Sequence, residues 1–237
     1  MKELFRGMKK IVIVILNIII FINIYSQNEV RNSGIEEIKE KINLSNISKL
    51  YSDIGLEKEI NYVTFYYAIK GFNNVANKKR KDIITIVDFS KPSLEKRGYV
   101  IDLKNKKIIY STYVMHGKNS GDNYTDKFSN VLNSFQSSPG FYLTENSYMG
   151  QYGYSLRLNG LEKGINDKAK ERAIVMHGSK YAKPIKGAPM LSKTLGCPAV
   201  PLELVKPIID NIKNGSIFYI HTNQKNYIEK SRILTKI

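Results

Sequence analysis

Seven short runs of β-branched and aromatic residues, each bounded by turn residues, fill the chain beyond Asp82 and limit its fold most strongly. They are Ile83–Val87, Gly98–Leu103, Lys107–Met115, Phe141–Thr144, Tyr154–Leu158, Ala173–Met176 and Ile217–Ile220. Runs this short, spaced by Gly, Pro, Asn and Ser, predict a mainly β domain of sandwich or barrel type over 82–237. Lys104–Asn105 reads as a tight hairpin connection between the second and third strands. Pro201 to Lys213 reads as a helix with Gly215 as its stop. Pro207 has no N–H to give inside that helix, which predicts a kink or two short helices. The recurrence of Val-Met-His-Gly at 114–117 and 175–178 reads as two strands ending alike, not as a repeat.

Residues 27–81 read as a small α-helical N-terminal extension. Ile35, Ile38 and Ile42 follow a Ser33–Gly34 start, and Tyr62, Phe65, Ile69 and Phe72 form a stripe at spacings of three, four and three. The stripe is a packing face. Lys78 to Lys81 read as a solvated basic linker. Residues 1–26 read as a signal peptide: Lys2, Arg6, Lys9 and Lys10 precede the apolar run Ile11 to Ile24, which is shorter than the roughly 20 residues of a membrane span. An uncleaved anchor is the alternative, and would be the only membrane contact. Both readings export the chain, to the periplasm or the cell wall.

Export changes the meaning of the charge. The formal net charge is +16, and removing the first 26 residues, with four cations and Glu3, leaves +13. Outside the cytoplasm nucleic acid is not the expected partner; an anionic cell-envelope polymer is. It also changes the meaning of the single Cys, Cys197. One Cys excludes an internal disulfide framework and any multi-cysteine metal site, and an unpaired thiol in an oxidising space is either buried and inert or kept for its reactivity.

The chemistry lies in Ala173-Ile-Val-Met-His177-Gly178-Ser179 and Thr194-Leu195-Gly196-Cys197-Pro198-Ala199-Val200. An apolar strand delivers His177 to its end, Gly178 allows a sharp turn, and twenty residues on a Gly-Cys pair precedes a helix. The thiolate is the nucleophile, and an imidazole or a helix N-terminus beside it lowers its pKa. His177 is therefore the candidate base for Cys197, with the N–H groups of Gly196 and Cys197 as candidate oxyanion donors. A zinc site from His116, His177 and Cys197 is a further reading, although its spacing matches no common zinc motif.

From Ile84 to His221 the sequence resembles the murein L,D-transpeptidase catalytic-domain family, whose motif is His-Gly followed at a distance by Ser/Thr-x-Gly-Cys. The match is His177-Gly178 with Thr194-Leu195-Gly196-Cys197, and Gly196-Cys-Pro-Ala-Val-Pro201 resembles its Gly-Cys-Pro-Ala subgroup. The resemblance implies an L,D-transpeptidase-like β-sandwich with flanking helices, no metal, no organic cofactor, and thioester chemistry on peptidoglycan stem peptides. The thiolate would attack the amide between the third stem residue and D-Ala, and an amine or water would take the acyl group. That leaves cross-linking or L,D-carboxypeptidase outcomes. The family commonly has His before Gly-Cys and Arg or Asn shortly after; here Leu195 and Ala199 or Val200 stand instead. His116 is a candidate substitute, Arg157 a candidate ligand for the D-Ala carboxylate or else a structural ion-pair partner, and Thr194 a residue that tightens the turn or touches substrate. The competing reading is a catalytically silent peptidoglycan-binding envelope protein.

Overall fold

A computed structural model describes residues 41 and 43–235. The signal-like segment and the stripe Ile35, Ile38 and Ile42 lie outside the described residues. The fold is carried by the compact unit that begins at Ile47. Helical residues 47–54 (α1) lead into α2 (Tyr62–Asn74), where Asn61 caps the N-terminus by accepting the Val63 N–H at 2.8 Å. Eight strands follow: β1 (Ile83–Asp88), β2 (Gly98–Asp102), β3 (Lys107–Thr112), β4 (Gly140–Gly150), β5 (Gly153–Gly160), β6 (Val175–Ser179), β7 (Ala199–Pro201) and β8 (Ile217–His221). Between β7 and β8 runs α3 (Leu202–Ile212), and α4 (Lys225–Lys230) and α5 (Arg232–Thr235) close the chain.

The strand order is β3-β2-β1-β8-β4-β5-β6-β7. Neighbours are antiparallel except β1 with β8 and β6 with β7, which run parallel. After β3 the chain crosses to the far edge, where Met115 N–H donates to Ala199 O at 2.8 Å. That contact joins the two ends of the sheet and curls it into a near-barrel.

Side-chain alternation divides the core in two. Ile84, Ile86, Tyr99, Ile101, Phe141 and Tyr219 face outward and are covered by Phe65, Ala68, Ile69 and Phe72 of α2. Their neighbours Ile83, Val87, Val100, Tyr142, Phe218 and Ile220 face inward, onto Leu156, Met176 and Val200 and onto Val205, Ile208, Ile209 and Ile212 of α3. Burial on both faces explains why β1 and β8 read as nearly continuous apolar runs, with Thr85 inside β1 and Asp88 and His221 at their ends. Each large side chain so buried contributes roughly 1.5–3 kcal/mol.

Three local expectations differ from the structure. The helix with Pro207 is one continuous element rather than two short helices, with the Glu203 carbonyl left without its helical N–H partner. The sixth strand begins at Val175 and continues through His177 and Gly178 to Ser179, so His177 lies within a strand rather than at its end. A three-residue strand, β7, separates Cys197 from α3, which starts five residues after the thiol.

Candidate active site

The parallel pairing of β6 with β7 sets His177 opposite Ala199. Cys197 precedes Ala199 by two residues, so its sulfur falls level with Val175, two residues before His177. Cys197 Sγ accepts from the Val175 N–H at 3.5 Å and donates to the Ala173 carbonyl at 3.7 Å. Ala173 itself has φ +51°, a left-handed conformation that costs about 1 kcal/mol or more for a non-glycine residue. The strain turns the carbonyl that holds the thiol.

Burial pushes the Cys197 thiol above its ordinary value of 9.0, opposed by the Val175 N–H and by the nearby Arg172 guanidinium. This corrects the expectation of a thiol activated at rest: the helix N-terminus is too remote, and no hydrogen bond joins Sγ to His177. Cys197 is 8% exposed, and its raised pKa keeps it a neutral thiol at pH 7.

His177 is 6% exposed and its tautomer is fixed by its partners. The Gly178 carbonyl, 3.1 Å from Nδ1, can only accept, so Nδ1 carries the hydrogen and Nε2 keeps its lone pair. Nε2 has no hydrogen-bond partner among the described residues. Burial holds the imidazole pKa below its usual 6.5, which keeps it a neutral base at pH 7. Tyr152, in the turn between β4 and β5, lies flat on the ring at 4.5 Å. Gly178 does not make the sharp turn anticipated from sequence. It lets α3 approach: a Cβ there would meet Val205 Cγ1 at 2.8 Å.

The turn before the thiol is knitted by Thr194. Its hydroxyl donates to Cys197 O at 2.7 Å and accepts the Gly196 N–H at 3.1 Å. Thr194 is thus spent within the turn and is not offered to a substrate. The Gly196 N–H, expected as an oxyanion donor, is already satisfied; the Cys197 N–H, without an acceptor among the described residues, is the free donor. Gly196 has φ +126°, and a Cβ on it would press on Gln136 O and Ile174 Cδ1 at 2.9 Å. Only glycine fits that position.

His116 does not join the site. Its Nδ1 accepts from Arg97 Nη2 at 2.7 Å, its Nε2 donates to Gly121 O at 3.3 Å, and it is buried. Burial and the Arg97 charge hold its pKa down at about 4. A neutral ring facing a guanidinium cannot stand in for the residue before Gly-Cys, nor share a zinc ion with His177 and Cys197. Leu195 is half-exposed at the turn.

Arg157 stands opposite Val175 in the β5–β6 register. Among the described residues the structural ion pair weighed from sequence does not form. Arg157 instead stacks on Tyr148 at 4.1 Å, without a carboxylate beside it. Both residues line a cavity of about 390 Å³ whose wall includes Ala173 and Val175, the two residues that hold Sγ.

Sequence reasoning missed Arg172. Its Nη1 donates to Ser129 O (2.6 Å) and Ser138 Oγ (2.5 Å), its Nη2 to Ser134 Oγ (3.1 Å) and Gln136 O (2.5 Å). It fastens the 129–138 loop beneath the Gly196 turn, where Ser137 Oγ donates to Gly196 O at 3.1 Å. The signal was an Arg just ahead of the strand that carries His177, but its acceptors lie 34 to 43 residues upstream. Replacing Arg172 with Met should leave buried acceptors unpaired at about 1–3 kcal/mol each and slow thiol alkylation at pH 8 about tenfold. Arg172→Lys keeps the charge but not the fork, so alkylation should recover more than the melting temperature does.

The model of the L,D-transpeptidase catalytic domain family matches residues 56–221 of the sequence. No curated protein gives a significant match. Among solved structures, an L,D-transpeptidase from Mycobacterium smegmatis aligns over 60% of this chain and 59% of its own, at 9% identity and a TM-score of 0.38. The helical cell shape determining protein Pgp2 from Campylobacter jejuni aligns over 68% and 55%, at 16% identity and 0.40. An L,D-transpeptidase from Stackebrandtia nassauensis aligns over 76% and 77%, at 13% identity and 0.36. The chain spans about three-fifths of the length of the first of these.

Proposed function

The chain belongs to the L,D-transpeptidase catalytic domain family, and from that premise we propose that it is an exported cysteine acyltransferase acting on peptidoglycan stem peptides. One observation carries the reading. A lone thiol is held two residues along β6 from an imidazole whose Nδ1 is tied to Gly178 O, with Nε2 left free. Successive same-face positions on a strand are roughly 6.6 Å apart. In the proposed cycle Sγ leaves the Ala173 carbonyl, turns about χ1 toward His177, and passes its proton to Nε2.

The thiolate then adds to the scissile carbonyl. The oxyanion is received by the Cys197 N–H, a donor worth on the order of 3 kcal/mol in the transition state. Collapse breaks the C–N bond; Nε2–H protonates the departing amine, leaving a thioester and a neutral imidazole. A second stem's side-chain amine, or water, attacks the thioester while His177 takes its proton, and the thiol is released. The imidazole ends each half-reaction as it began.

The export part of the proposal rests on the basic and apolar pattern of residues 1–26. The net positive charge suits retention near anionic envelope polymers.

Incubation of the purified protein with tetrapeptide muropeptides, followed by mass spectrometry, tests the activity. The expected products are monomers that have lost one D-Ala and dimers joined between third residues. Unchanged muropeptide masses, with binding that weakens as salt is raised, would instead favour the silent envelope protein.

A further inference from the structure

Resting on the acyl-transfer reading, we propose that Arg157 is the specificity determinant of the donor subsite and binds the free C-terminal carboxylate of the peptide being cleaved. The inference starts from an unpaired charge. Arg157 is partly buried on β5, yet among the described residues no carboxylate or other hydrogen-bond acceptor meets its guanidinium, which lies on the Tyr148 face at 4.1 Å. Stacking leaves the edge of the guanidinium, with its fork of N–H donors, free for an anion while fixing the plane in which it is presented.

The other cation of the cavity is committed. Lys170 Nζ is 2.6 Å from Glu145 Oε1, so that pair presents no net charge. Arg157 is therefore the uncompensated charge on this wall. The same wall carries Ala173 and Val175, whose backbone groups hold Sγ.

In this proposal a peptide enters along the cavity with its scissile carbonyl at the sulfur and its C-terminal side toward Arg157. The leaving residue is a single amino acid in this reading, so its α-carboxylate lies within one residue of the broken bond. Arg157 thereby selects donors that end one residue past the scissile amide. Chains extended beyond that point, or with a blocked terminus, are rejected because the guanidinium is left without its anion.

The test measures binding without chemistry. In the Cys197→Ala protein, the affinities of a stem tetrapeptide and of its C-terminal amide are compared by calorimetry at constant salt. The acid should bind at least about tenfold more tightly than the amide, in line with a lost charge-assisted bidentate contact. Adding Arg157→Met should bring the two affinities within about twofold of each other, whereas adding Lys170→Gln should preserve the difference. Equal affinities in the Cys197→Ala protein would overturn the proposal. So would discrimination that survives loss of Arg157, or an acid that fails to bind at millimolar concentration. An active-site thiol that forms no acyl-enzyme in otherwise unaltered protein, with the acid-over-amide preference intact, would sink the acyltransferase reading and leave this subsite standing.

Discussion

Cys197→Ala protein mixed with a stem tetrapeptide or a carbapenem should show no mass increment, while protein with the native residue should gain the acyl group. The expected loss in acylation is at least about 10⁴-fold, because no other residue supplies a nucleophile at this position. The fold should survive. Among the described residues Sγ makes only two long hydrogen bonds, at 3.5 and 3.7 Å, and a small side chain suits the site, so the stability change should stay within about 1–2 kcal/mol. A full mass increment on the Cys197→Ala protein would remove the mechanism outright. A collapsed melting transition would move Cys197 into the role of a core residue.

The second large effect is expected at His177. His177→Ala should lower acylation about 10³-fold, the usual range for losing a positioned general base. The pH dependence gives a sharper readout than the rate. In the native protein the base must be neutral, and burial holds its pKa below 6.5. Activity should therefore be full at neutral pH and fall only as the solution is acidified through that lowered value. Without the imidazole, reaction depends on spontaneous ionisation of a thiol raised above 9.0. The residual rate should then climb with pH through neutrality and onward into alkaline solution. A His177→Ala protein that kept the plateau and its acid limb would show that another group is the base.

The strands were legible because both faces of the sheet are buried, which leaves mostly apolar runs such as Ile83–Val87 and Ile217–Ile220. The Cys–His pair was legible because its residue types are rare in this chain, with one Cys and three His in all. What escaped depends on contacts distant in sequence. His116 sits in the same Val-Met-His-Gly string as His177, but Arg97 draws its ring away from the site. Ala173 reads as a strand residue, yet its φ of +51° marks it as the bend before one. Strand β7 is three residues long and ends in Pro201, too short to leave a periodic trace. The thiol's pKa escaped as well, because burial raises it, while the short strand keeps the helix N-terminus away.

The contact at Gly178 has a consequence for which partner in the reaction can travel. With Val205 seated against a position that bears no side chain, β6 is clamped from above and the imidazole rides on an anchored rail. The cysteine's backbone is fastened too, by Thr194 and Ser137, but its sulfur hangs from two weak bonds. In the proposed cycle, convergence of the pair is therefore a journey made by the sulfur alone, with the histidine as the fixed mark toward which it moves.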